Sequence, residues 1–138
     1  MNDPVAGDVW HYPYLWAWQQ DRGETEGRKD RPTAIVAAVH DDKGRLHIAL
    51  LPITSQPPRK DRISMVIPLM EARRIGLTTA QPLWIVFDDY NFDDYSESYY
   101  FELGGRIGAL SSAFLALVTA RFIKALADRK SRRIRRDT

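Results

Sequence analysis

The chain contains no cysteine, which excludes disulfides, thiolate metal centres and a cysteine nucleophile. Its three histidines, His11, His40 and His47, are not spaced as a ligand set. Asp88, Asp89, Asp93 and Asp94 crowd together, but the stretch lacks the central glycine and terminal glutamate of a calcium loop. Neither a metal nor an organic cofactor is expected. The start, Met1-Asn2-Asp3-Pro4-Val5, has no basic residue followed by an apolar core, so no signal peptide is expected. The longest apolar run, around Phe114–Val118, is far too short to cross a bilayer. A cytoplasmic protein with no membrane partner is the expectation.

What is present is ordinary for a globular chain. Hydrophobic residues make up 44% and charged residues 28% of 138 residues, enough for one core and too few for two. One domain over 1–138 is expected, with no repeat and no linker. The net charge of +2 hides an asymmetry. Acids crowd Asp88–Glu97, whereas bases crowd Arg22–Arg31, Arg59–Arg62 and the basic tail 129–138. Such clusters either meet phosphate or an acidic protein, or stay solvated.

Hydrophobic patterning predicts strands over Val9–Tyr12, Thr33–His40, Leu46–Ile53, Ile63–Ile67, Leu83–Phe87 and Tyr99–Leu103. Asp41-Asp42-Lys43-Gly44 has the composition of a hairpin turn, so the second and third strands should pair antiparallel. Gln19 to Asp30 reads as a mobile polar loop, and Ser55–Asp61 as a proline-containing loop. Pro68 should open a short helix, Leu69–Ile75, that stops at Gly76. Ser111 or Ser112 should cap a long helix reaching about Lys130, with Leu115, Val118, Phe122 and Leu126 as its buried stripe. The fold class is mainly β with helices, α+β, as a small closed or half-open barrel with one short and one long helix.

Two places carry chemistry. Arg31 ends the polar loop, and Pro32 fixes the backbone before a buried strand, which aims a guanidinium from a rigid base. A planar guanidinium suits phosphate through paired, charge-assisted hydrogen bonds. Pro52-Ile53-Thr54-Ser55-Gln56-Pro57-Pro58 ends a strand in three polar side chains. If the two strands form a hairpin, Arg31 and Thr54 are neighbours at one rim. Plainer readings stand beside these: Arg31 paired with Glu24 or Glu26 at the surface, and Thr54 and Ser55 satisfying turn amides. Trp10, Tyr12, Tyr14, Trp16 and Trp18 form an aromatic run, read either as core and dimer contact or as stacking for unpaired bases.

The order Gly7-Asp8-Val9-Trp10, Glu26, Arg31-Pro32, an apolar strand and Pro52-Ile53-Thr54-Ser55-Gln56 resembles the MazF/PemK family of toxin ribonucleases. Ile67-Pro68-Leu69 followed by Ile75-Gly76-Leu77 is similar to the family's strand and short helix. The likeness covers roughly residues 7 to 87.

This resemblance implies an SH3-like small β-barrel, a homodimer and a toxin of a bacterial type II toxin–antitoxin system. It implies metal-independent, sequence-specific cleavage of single-stranded RNA, with a cognate antitoxin as protein partner. Carried onto this chain, the catalytic residues would be Arg31 and Thr54, with Glu26 either accepting the 2′-hydroxyl proton or held by Arg31. Ser55, Gln56, Arg28, Lys29, Arg59 and Lys60 would contact RNA. Two other classes remain: a non-catalytic family member, and a poison that binds its target as gyrase-directed relatives of this fold do. The chain departs from the family after the short helix, where Trp84 to Asp94 carries four aspartates. Such an edge repels phosphate and suits the basic side of a partner.

Overall fold

The computed structural model describes residues 3–78, 80–103 and 105–137. Its elements are β1 (Asp8–Tyr12), α1 (Ala17–Asp21), β2 (Arg31–His40), β3 (Leu46–Thr54), β4 (Ser64–Val66), α2 (Leu69–Ile75), β5 (Trp84–Val86), β6 (Asp89–Asp94), α3 (Tyr100–Leu103), β7 (Arg106–Ala109), α4 (Ser112–Ala127) and β8 (Arg132–Arg135). None of the described helices is long and apolar enough to cross a membrane.

The expected hairpin forms: β2 and β3 pair antiparallel from Thr33–Pro52 to His40–Leu46. Asp41 fastens its turn. The carboxylate accepts from the Lys43 and Arg45 amides at 2.8 and 2.9 Å and meets His47 Nε2 at 2.9 Å. Those bonds, the His47 contact foremost, hold its carboxyl down at about 2. β1 flanks β2, and β7 flanks β1. On the other side β3 divides its partners. Ile53 and Thr54 pair with β5, which pairs with β4, while His47–Leu50 pair with β6. β8 then runs parallel to β6, beyond every antiparallel pair.

The strands are apolar on both sides because both sides of the sheet are covered. One face presents Val9, Ala34, Leu51, Ile53 and Ile85 to α2 and to the Phe114, Val118, Phe122 and Ala125 side of α4. The opposite face presents Trp10, Tyr12, Ile35, Ile48 and Leu50, and Phe101 of α3 packs there. Phe101 sits 5.5 Å from Trp10 and 5.2 Å from Tyr12, centroid to centroid. Gly76 closes α2 with φ of 94°, a conformation in which a Cβ would be strained.

Several expectations change. The fold is α+β with a mostly antiparallel sheet, but the sheet is not closed: β4 and β7 end the path without pairing to each other. Tyr99–Leu103 is not a strand. Tyr100–Leu103 is a helical turn whose Tyr100 amide bonds to Ser98 Oγ at 3.2 Å, with Phe101 rotated into the aromatic core. The polar loop from Gln19 begins inside α1, and Gln19 is buried because its side chain accepts from the Trp16 amide. The long helix stops at Ala127, and its buried stripe holds Phe114 and Ala125 rather than Leu115 and Leu126, while Leu126 is exposed. The tail is no solvated end: Arg132–Arg135 is β8, and its Ile134 is fully buried.

The acidic segment is the largest correction. It is strand β6, and register places Asp93 beside Ile48 and Asn91 beside Leu50 on the aromatic face. Asp89, Asn91 and Asp93 are all buried, so each needs partners inside the chain. Asp89 accepts from the Tyr14 hydroxyl, and from the Ala17 amide at 3.2 Å. Asn91 accepts from the Leu15 amide at 2.9 Å and donates to the Leu15 carbonyl at 2.7 Å. Asp93 accepts from the Tyr12 hydroxyl at 2.7 Å and the Ser98 hydroxyl at 2.6 Å. Burial pushes both carboxyls up, against these bonds, and pushes the two phenols well up, which keeps Tyr12 and Tyr14 as donors. Asp89, Asn91 and Asp93 therefore make their hydrogen bonds inside the chain. Arg62 and Arg45 pair with Asp88 and Asp94 at 3.4 and 3.1 Å, and Arg136 donates to Asn91 Oδ1 and the Pro13 carbonyl, each at 2.8 Å.

Truncating Ile134 to Ala should cost about 3 kcal/mol in urea unfolding. A change under about 0.5 kcal/mol, usual for a surface position, would mean that β8 is not docked.

Candidate functional site

β2 begins and β3 ends at the same rim. Continuing the Thr33–Pro52 register by two residues sets Arg31 across from Thr54. Their outer neighbours are Tyr12 on β1 and Trp84 on β5. Arg31 and Thr54 thus stand side by side, Arg31 anchored by its pairing with β1 and Thr54 by its pairing with β5.

The Arg31 guanidinium lies 5.2 Å from the centre of the Trp16 ring. Its buried Nε has no hydrogen-bond partner, and no ion pair among the described residues involves it. Burial pulls its pKa below the ordinary value, though an arginine remains charged. A half-buried cation without a carboxylate is unusual, because a buried charge normally finds a partner. Thr54 is 8% exposed, and its Oγ1 accepts from the Gln56 amide at 3.1 Å. That bond uses a lone pair, which leaves the hydroxyl hydrogen free to be donated.

Two cavities meet at this pair. A groove of about 330 Å³ runs over Trp16, Trp18, Lys29, Ser55, Gln56, Arg59 and Arg62, with Arg31 and Thr54 in its wall. Four cations line it, and none of its lining residues is a carboxylate. Arg62 is held by Asp88 at 3.4 Å and lies 5.7 Å from the Trp16 centroid. A second cavity, about 460 Å³, lies against the same pair and is lined by His11, Lys29, Asp30, Leu77, Gln81 and Ile107; Asp30 forms no ion pair with Arg31. The described residues contain no group of three His, Asp or Glu side chains placed to hold a metal ion.

The structure brings together Arg31, Thr54, Ser55, Gln56, Lys29 and Arg59. It does not bring Glu26. That carboxylate accepts from the Tyr100 hydroxyl at 2.9 Å and lines a separate cavity with Asp93 and Arg136. Arg28 is gripped by Glu24 through two bonds of 2.8 and 3.0 Å, so neither glutamate pairs with Arg31. Arg28 and Lys60 line neither cavity beside the pair.

Sequence reasoning saw Trp16 and Trp18 only as part of the aromatic run, Arg62 only within a basic cluster and His11 only as a rejected metal ligand, and placed none of them beside Arg31. The aromatic run was visible, but its division was not. Tyr12 and Tyr14 are buried, whereas Trp18 is 42% exposed. The hold of β6 on Tyr12, Tyr14 and Leu15 keeps the two tyrosine rings turned inward.

Compared with protein-family models the chain matches none, and no curated protein matches it either.

An unpaired, desolvated guanidinium costs stability that a site with a ligand would tolerate. Arg31→Met keeps the stem against Trp16 and removes the charge. It should raise the unfolding free energy by about 1 kcal/mol in urea titration. A loss of similar size would show that Arg31 is a structural residue.

Proposed function

We propose that the chain is a metal-independent endoribonuclease of the MazF/PemK toxin type, acting on single-stranded RNA. The observation that carries this reading is the Arg31–Thr54 pair: a guanidinium with no carboxylate partner beside a hydroxyl free to donate, in a groove of cations.

RNA supplies its own nucleophile, so the protein has to position it and stabilise charge. The 2′-oxygen attacks the adjacent phosphorus, the bond from phosphorus to the 5′-oxygen breaks, and the leaving 5′-oxygen takes a proton from water, so that a 2′,3′-cyclic phosphate and a 5′-hydroxyl result. Arg31 neutralises the non-bridging oxygens while Thr54 Oγ1 donates to the same phosphate. Glu26 has no part in this, because its carboxylate is bonded to Tyr100. The imidazole that shares a cavity with the pair is His11, and it takes the 2′-hydroxyl proton.

The reading brings further expectations with it. The path β4–β5–β3–β2–β1–β7 is the candidate wall of an SH3-like barrel in a half-open form. The protein would work in the cytoplasm as a homodimer, neutralised by a cognate antitoxin.

The test is cleavage of a long single-stranded RNA in the presence of a chelator. Wild type should cut it, and Arg31→Ala should slow cutting roughly 10²- to 10³-fold. RNA left intact by the wild type, or cut equally by Arg31→Ala, would overturn the proposal.

A further inference from the structure

The two tryptophans of the groove are each held by two guanidiniums. Trp16 has Arg31 at 5.2 Å and Arg62 at 5.7 Å. Trp18 has Arg28 at 4.8 Å and Arg22 at 5.2 Å. Two of these arginines are neutralised, Arg28 by Glu24 and Arg62 by Asp88. For Arg22 and Arg31 no ion pair is found among the described residues. Trp18 is 42% exposed, although large aromatics are among the side chains a fold gains most by burying. Its ring is not left out for lack of an apolar core, because two cores lie on the two faces of the sheet.

From this arrangement we infer that Trp18, continued by Trp16, is a stacking shelf for an unpaired nucleobase whose flanking phosphate lies on Arg31 and Thr54. An indole face attracts a guanidinium only weakly at an exposed position, so a base can take its place. The displaced Arg22 is then free to meet the next phosphate. Alternating aromatic faces and cations along one groove is the pattern that tracks a single strand: stacking accepts any base, and the cations follow the backbone. A duplex offers no free base face, so the shelf selects single strands by geometry. Four cations and no carboxylate in the lining set the sign of the ligand. The inference rests on the phosphate site proposed above and adds what lies beside it.

The experiment uses the full chain and 2′-deoxy oligonucleotides, which lack the nucleophile and cannot be cleaved by 2′-hydroxyl attack. Affinity and tryptophan fluorescence are measured for an oligothymidylate, an abasic strand of equal length and a duplex. Wild type should bind the oligothymidylate most tightly, with quenching. Trp18→Ala should lose roughly five- to a hundred-fold of that affinity, down to the abasic level, and Trp18→Phe should recover most of it. The dependence on salt should stay unchanged, since no phosphate contact is removed. Equal affinity of wild type for abasic and base-bearing strands would overturn the shelf, as would unaltered binding by Trp18→Ala. Base-dependent binding together with failure to cleave RNA would uphold the shelf and defeat the nuclease reading alone.

Discussion

Three buried polar side chains on one strand organise the rest of the molecule. Asp89, Asn91 and Asp93 of β6 occupy core positions on the aromatic face, where a polar group without partners would cost about 1–3 kcal/mol each. Each finds its partner in the segment Tyr12–Ala17. Residues 13–16, between β1 and α1, have no strand or helix of their own, so these bonds are what give them a fixed path. Arg136 closes the same network from the C-terminal side, stacked 4.1 Å from the Tyr100 ring. The last strand, the aromatic core and the groove floor therefore depend on one set of hydrogen bonds.

The groove inherits its geometry from that set. Once Leu15 is bonded to Asn91, Trp16 follows at the rim where β2 starts, under the Arg31 guanidinium. The β2–β3 register, continued two residues past its last pair Thr33–Pro52, independently places Arg31 beside Thr54. Two separate constraints thus converge on one small region. Neither supplies a carboxylate to the guanidinium, and the two nearby glutamates are engaged elsewhere, Glu24 with Arg28 and Glu26 with Tyr100. A half-buried guanidinium with no carboxylate partner among the described residues, in a groove lined by cations, points to an anion from outside.

Local signals were legible in the sequence. The Asp41–Gly44 turn, the two-strand pairing across it, the helix from Pro68 to Gly76 and the Ser111 cap follow from short-range chemistry, and each is present. The Arg31–Thr54 juxtaposition came from that pairing. What was not legible is long-range. A run of aspartates looks solvated unless it is known that Tyr12, Tyr14 and Leu15 lie over it, some 75 to 81 residues away in the chain. The basic tail misled for the same reason, because only docking against β6 buries Ile134 and Arg136 between exposed arginines. Tyr99–Leu103 has strand-forming side chains, yet Ser98 and the aromatic core turn it into a helical turn.

On the proposed function, ligand meets this molecule at the Arg31–Thr54 rim and not at the acidic or C-terminal strands. Nuclear magnetic resonance titration of the full chain with a short uncleavable single strand tests it most directly. The Arg31 Nε–H, the Thr54 and Gln56 amides and the Trp16 and Trp18 indoles should shift, with Tyr100 and the β8 amides unmoved. Shifts centred on Tyr100 and β8, with the Arg31 and indole signals silent, would contradict it.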